Sequence, residues 1–250
     1  MFTFITKQNS RSILGKVLFT SALALTLSAC NDSDNNDVPE VVTPAPTPTP
    51  TPDEFSYSVT LTNLTYAQPL SPLAVLLHGD SKMWEIGSAS SLPLEVLAES
   101  GDNADLLADA SVLVSASDSD VLLPGNSSSV TISTTDRMAT HLTSATMLVN
   151  TNDAFSGLTG VDISTMAVDE SMSWNLNVYD SGTEANDEAA GTIPGPADGG
   201  TGFDAARDDV DFVAYHSGVV SQDDGLTGSV LTQAHKFDNP AIKLTITRTK

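Results

Sequence analysis

Residues Phe55 to Thr62 read F-S-Y-S-V-T-L-T. Phe55, Tyr57, Val59 and Leu61 alternate with Ser56, Ser58, Thr60 and Thr62. Successive side chains of an extended chain leave opposite faces, so this order puts every apolar group on one side and every hydroxyl on the other. That is a half-buried strand. The pattern recurs in M-S-W-N-L-N-V, with Met172, Trp174, Leu176 and Val178 on one face, and in A-I-K-L-T-I-T, with Ile242, Leu244 and Ile246 inward. Shorter strands are predicted at Ser111–Ser115, Ser129–Ser133, Ala145–Val149 and Val210–Tyr215. Helical signal is confined to Leu92–Ala98 and Asn103–Ala108, separated by Ser100-Gly101-Asp102. Many short strands joined by Gly- and Asp-rich connections, such as Gly191–Gly202, predict an all-β chain: an antiparallel β-sandwich with one or two short helices. No fixed-period repeat points to a solenoid or propeller. The domain is placed at 53–250, and a strand so near the C-terminus is expected to close a sheet.

The segment ahead of this domain has a different texture. Lys7, Arg11 and Lys16 precede the first acid, Asp32, and Val17 to Leu27 form an apolar run. The run is too short to cross a bilayer, which takes about 20 residues, but it has the length of a secretory core. It ends in L-S-A-C, Leu27 to Cys30, which resembles the bacterial lipoprotein lipobox. Residues 1–29 are therefore read as a lipoprotein signal peptide, with cleavage before Cys30 and acylation of its sulfur. Acyl chains on Cys30 would hold the chain to a lipid bilayer. Export to the bacterial cell envelope follows, and the outer membrane is the expected destination. Residues 30–52 are acidic and then Thr/Pro-rich, and they cannot bury enough apolar surface to pack. The Thr-Pro run at 43–52 favours polyproline II, a spacer of about 30 Å.

The 250 residues carry 32 acids, 10 bases and a formal charge of −22. Such a body repels nucleic acid and suits divalent cations or cationic partners. The single cysteine excludes an internal disulfide framework and a Cys-rich zinc site. No G-x-S-x-G elbow and no H-E-x-x-H pair is present. Gly199–Gly202, G-G-T-G, lacks the lysine of a phosphate loop. His78, His141, His216 and His235 are far apart in sequence, so a hydrolase would have to assemble His78 or His216 beside a carboxylate in space.

Acids at strand ends offer more. Asp153 follows the apolar run Met147–Val149, and Asp180 follows the alternating strand that ends at Val178. Two strands running the same way end at one edge, and the interval leaves room for a returning segment. The two carboxylates are thus expected to meet at one rim. With oxygens from Asn152 and Glu184, they form a candidate calcium site, since calcium takes carboxylate, amide and carbonyl oxygens. The competing reading is a pair of ordinary turns, which Asp and Asn favour through side-chain bonds to nearby backbone.

Several stretches together resemble the spondin N-terminal domain family, in its bacterial branch. They include Y-S-V-T-L-T-N-L-T, S-P-L-A-V-L-L-H, M-W-E-I-G-S-A-S, L-V-N-T-N-D-A-F-S-G-L, Y-D-S-G-T-E-A-N-D-E, I-P-G-P, A-Y-H-S-G-V and F-D-N-P-A-I-K-L-T-I. The resemblance implies an antiparallel sandwich similar to the synaptotagmin-type lipid-binding fold. Animal members, F-spondin and mindin, are secreted matrix and adhesion proteins and are not known as enzymes. It implies calcium at one end of the sandwich, with N-T-N-D-A supplying Asp153 and D-S-G-T supplying Asp180. A third family ligand falls near Ser133 or Thr134, where this chain has no acid. The expected function is a non-catalytic, lipid-anchored envelope protein that mediates binding or adhesion to an extracellular or envelope ligand. The rivals are an envelope-polymer hydrolase and a purely structural domain.

Overall fold

A computed structural model describes residues 52–206 and 210–250. The leader, Cys30 and most of the spacer lie outside the described residues. All described elements belong to the unit Pro50–Lys250. In chain order they are β1 (Phe55–Asn63), β2 (Ala74–His78), α1 (Leu92–Ser100), α2 (Ala104–Leu107), β3 (Val112–Ser117), β4 (Ser127–Thr134), β5 (His141–Met147), β6 (Ala154–Asp162), β7 (Ser171–Leu176), β8 (Val178–Asp180), β9 (Ala214–Tyr215) and β10 (Ile242–Arg248).

The strands form two antiparallel sheets, β4-β1-β10-β7 and β3-β2-β5-β6-β8-β9, so the chain is an all-β sandwich with two short helices. β1 takes its place by the alternation that predicts it. Tyr57, Val59 and Leu61 are buried, Val59 opposite Val130 of β4 and Ile246 of β10. Ile242, Leu244 and Ile246 of β10 are fully buried beside them. These side chains meet Val75, Leu77 and Leu142 of the facing sheet in one core. Each fully buried side chain of this kind contributes about 1.5–3 kcal/mol. The outer face of the smaller sheet is a field of paired hydroxyls: Thr60 with Ser129, Thr62 with Ser127, Ser173 with Thr245 and Ser171 with Thr247, each at 2.8 Å.

The larger sheet is covered on both faces. Its outer side carries Ala74, Leu76, Ala145 and Phe155, and α1 lays Leu94, Leu97 and Ala98 over them with Trp84. α1 opens with Pro93 in its first turn and closes on Gly101 at φ 72°, whose N–H donates to the Leu97 carbonyl at 2.9 Å. Glycine is required there: a Cβ would stand 2.8 Å from Cβ of Ser71.

Three expectations need correction. The strand Met172–Val178 is two strands in different sheets, broken at Asn177. The Asn177 carbonyl accepts from Ser156 Oγ at 2.7 Å, and the Val178 N–H donates to Asn239 Oδ1 at 2.9 Å, so groups of neighbouring segments turn the chain. The strand Val210–Tyr215 shrinks to Ala214–Tyr215, because Val213 bonds instead to Gly87 and Ser88 of a loop. The strand Ala145–Val149 lies earlier, at His141–Met147: Leu148 makes only an isolated bridge to Leu70, and the turn to β6 begins at Val149.

Candidate functional site: a buried carboxylate pair at one rim

β5 and β8 run the same way, and β6 is the returning segment between them. The turn from β5 to β6 carries Asn150, Thr151, Asn152 and Asp153. Thr151 fixes it: its hydroxyl donates to the Leu148 carbonyl at 2.6 Å and accepts the Ala154 N–H at 3.1 Å. Asn150 pins the turn to its surroundings, donating from Nδ2 to the Ala67 carbonyl and accepting the Ala197 N–H on Oδ1, both at 2.9 Å. The I-P-G-P stretch passes so close that a Cβ on Gly195 would stand 2.1 Å from the Val149 carbonyl oxygen.

Asp180, at the end of β8, pairs in register with Ala154 and so stands beside Asp153. The two carboxylates predicted to share a rim are brought together and buried, Asp153 at 0% exposure and Asp180 at 7%. Asp153 Oδ2 accepts the N–H groups of Thr183 and Glu184 at 3.0 and 3.1 Å. Asp180 Oδ1 accepts the Gly182 N–H at 2.8 Å, and Oδ2 accepts from Asn186 Nδ2 at 2.5 Å. Asn152 and Glu184 are buried alongside, and Asn152 Nδ2 donates to the Ala185 carbonyl at 2.8 Å. One oxygen of the pair, Asp153 Oδ1, has no hydrogen-bond partner among the described residues. Burial first, then the charge of Asp180, raises the Asp153 pKa from 3.8 to about 7, against the two backbone donors.

Two further residues stand near the pair: Glu99, which sequence reasoning missed, and His216, which it named only for the hydrolase reading. Glu99 of α1 adds to the field that raises Asp153, and its Oε2 accepts the Asp204 N–H at 3.0 Å. His216 follows β9 and is buried near Asp180. Its Nδ1 accepts the Gly218 N–H at 2.9 Å, which leaves the proton on Nε2, and Nε2 has no partner among the described residues. Burial lowers its pKa, and Asp180 acts the other way. No local signal in L-A-E-S marks Glu99, and A-Y-H-S-G-V does not say which carboxylate His216 meets.

The positions that the resemblance assigns to a third ligand are elsewhere. Ser133 and Thr134 pair with Ser56 and Phe55 at the start of β1. The Asp153 turn belongs to the other end of that strand, where Asn63 Nδ2 donates to the Gln68 carbonyl and Gln68 Nε2 to the Asn150 carbonyl. Among the described residues, no group of three or more His, Cys, Asp or Glu side chains is arranged to hold a metal ion. The remaining three histidines have local roles: His78 Nε2 bonds Thr143 Oγ1 and its Nδ1 bonds the Gly79 carbonyl, both at 2.8 Å, His141 Nδ1 bonds Thr140 Oγ1 at 3.0 Å, and His235 Nδ1 accepts the Thr232 N–H.

No protein-family model matches the chain, and no curated protein matches it.

Proposed function

We propose that this chain is a non-catalytic, lipid-anchored protein of the bacterial cell envelope, exported and held through acylated Cys30 in the outer membrane. Its spondin-like sandwich presents a binding surface to an extracellular or envelope ligand, with calcium at the Asp153–Asp180 rim. The observation that carries the metal part is the buried carboxylate pair with one oxygen, Asp153 Oδ1, that has no partner among the described residues. Burying two like charges is costly, and a cation between them is one way to offset it. Calcium takes about six to eight oxygens, so Asn152, Glu184, backbone carbonyls and water would complete the shell.

The test is calorimetric titration of the soluble body with calcium, beside the double variant Asp153→Asn, Asp180→Asn. Heat of binding and a raised melting temperature are expected for the parent alone. A parent that gives no heat sinks the calcium assignment. A melting temperature unchanged between calcium and chelator would favour a purely structural domain.

A hydrolase reading draws on one pairing, His216 beside Asp180. Both groups are buried, and His216 Nδ1 is already engaged by Gly218. A nucleophile and a cleft would both have to be supplied by movement, and turnover of an envelope polymer lost on His216→Ala would establish it.

A further inference from the structure

On the outer face of the larger sheet, at Tyr179, lies a surface whose hollow shares no lining residue with the carboxylate rim. There, Phe155 of β6, Tyr179 of β8 and Tyr215 of β9 stand in register across three strands. The rings form a row that climbs from the core to the sheet edge. Phe155 is fully buried and Tyr179 half-buried, while Tyr215 is 58% exposed. Tyr179 and Tyr215 stack at 5.5 Å with 22° between their planes, and Trp84 stands against both Phe155 and Tyr179, at 5.2 and 6.1 Å. Beside the row is an open hollow of about 410 Å³, lined by Lys82, Trp84, Glu85, Ile86, Thr159 and Tyr179.

We propose that this stepped aromatic row and its hollow form a binding platform for a neutral oligosaccharide. The exposed face of Tyr215 is flat and apolar, which suits the C–H face of a pyranose ring. The rim of such a ring carries hydroxyls that need both donors and acceptors. Lys82 and Glu85 supply both from one ion pair, Nζ to Oε1 at 2.9 Å. With Lys82 and Glu85 paired, the lining of the hollow carries no net charge, so it offers little to hold an ionic ligand. The formal charge of −22 repels polyanions further. The hollow falls in the size range of small-molecule sites. Tyr179 of β8 lines it and stacks on Tyr215 of the edge strand β9, so a longer chain can run from the hollow over the sheet edge.

The loop that carries Lys82–Ile86 is held in place rather than loose. Met83 N–H donates to Thr159 Oγ1 at 2.8 Å, and Gly87 N–H to the Val213 carbonyl at 2.8 Å. The platform is thus preformed, which limits the ordering that binding has to impose. This inference deepens the binding role proposed above by naming a ligand class, and it does not depend on calcium.

The experiment is calorimetric titration of the full-length protein, in a detergent without sugar groups, with chitohexaose and with cellohexaose. Saturable binding of at least one is expected, equal with and without EDTA. Tyr215→Ala is expected to weaken it by about tenfold or more, while Tyr215→Phe, which keeps the ring, restores it. Melting temperatures should match the parent's, since Tyr215 is mostly exposed. Failure of both hexasaccharides to bind overturns the proposal, as does equal binding by Tyr215→Ala. Preferential binding of hexagalacturonate or of tetramethylammonium overturns it in favour of a charged ligand. Loss of sugar binding in EDTA overturns the claim of a separate platform, whereas a failed calcium titration leaves that claim standing.

Discussion

At the scale of single residues, Asp153 has a consequence for stability that can be signed. Its folded pKa is raised above the ordinary 3.8, to about 7, by burial and by Asp180. Between those values the folded state holds a proton that the unfolded chain has released. Stability therefore falls as pH rises from about 4 to about 7 and levels off above, by proton linkage. Asp153→Asn removes that slope. In EDTA, its melting temperature relative to the parent should climb across this window, and parallel profiles would refute the assignment. Calcium binding needs the ionised form, so it should strengthen over the same interval. Gly182 is a second test. It sits at φ 77°, and a Cβ there would stand 2.3 Å from the Phe212 carbonyl oxygen. Gly182→Ala should cost about 1–3 kcal/mol in urea denaturation, through strain and through disturbance of the loop that serves both acids. Both carboxylates were legible in the sequence because each follows a recognisable strand. Glu99 was not, and His216 was legible only as one of two histidines open to a carboxylate, because only the docking of α1 and the β8–β9 pairing bring them there.

At the scale of elements, β10 is the strand on which the smaller sheet depends. It lies between β1 and β7 and pairs with both over most of its length. Removal of residues 242–250 should leave β1 and β7 without a common neighbour and abolish the strand signal in far-ultraviolet circular dichroism. A milder change, Leu244→Ala, should cost about 2–5 kcal/mol while keeping the fold. β1 and β10 were readable because each has one wet face and one dry face. β2, β5 and β6 were hidden or misplaced for the opposite reason. β2 is buried at every position, β5 at all but the first, and β6 over its first four, so they carry no alternation. The break at Asn177 left no trace in M-S-W-N-L-N-V, since Val178 is as apolar and as buried as the alternation demands. Only Ser156 and Asn239, distant in sequence, redirect the chain there.

At the scale of the whole molecule, the lipobox reading makes a cell-level prediction. Cys30→Ser should abolish acylation and move the protein from the membrane fraction to the soluble one, with the acyl mass lost from the intact-protein spectrum. Retention in the membrane would refute the anchor. The ends of the described body also bear on this. Ser56 N–H donates to the Lys250 carbonyl, and Lys250 pairs with Glu54, so both ends leave the sandwich together. β1 and β10 are antiparallel neighbours, with Tyr57 opposite Arg248 and Asn63 opposite Ile242. A force drawing the two ends apart would therefore load the Tyr57–Arg248 rung first and then each rung in turn. The strands would unzip one hydrogen-bonded pair at a time instead of sliding past one another in shear. Handled by its two ends, this sandwich should be mechanically soft, however much stability its core provides.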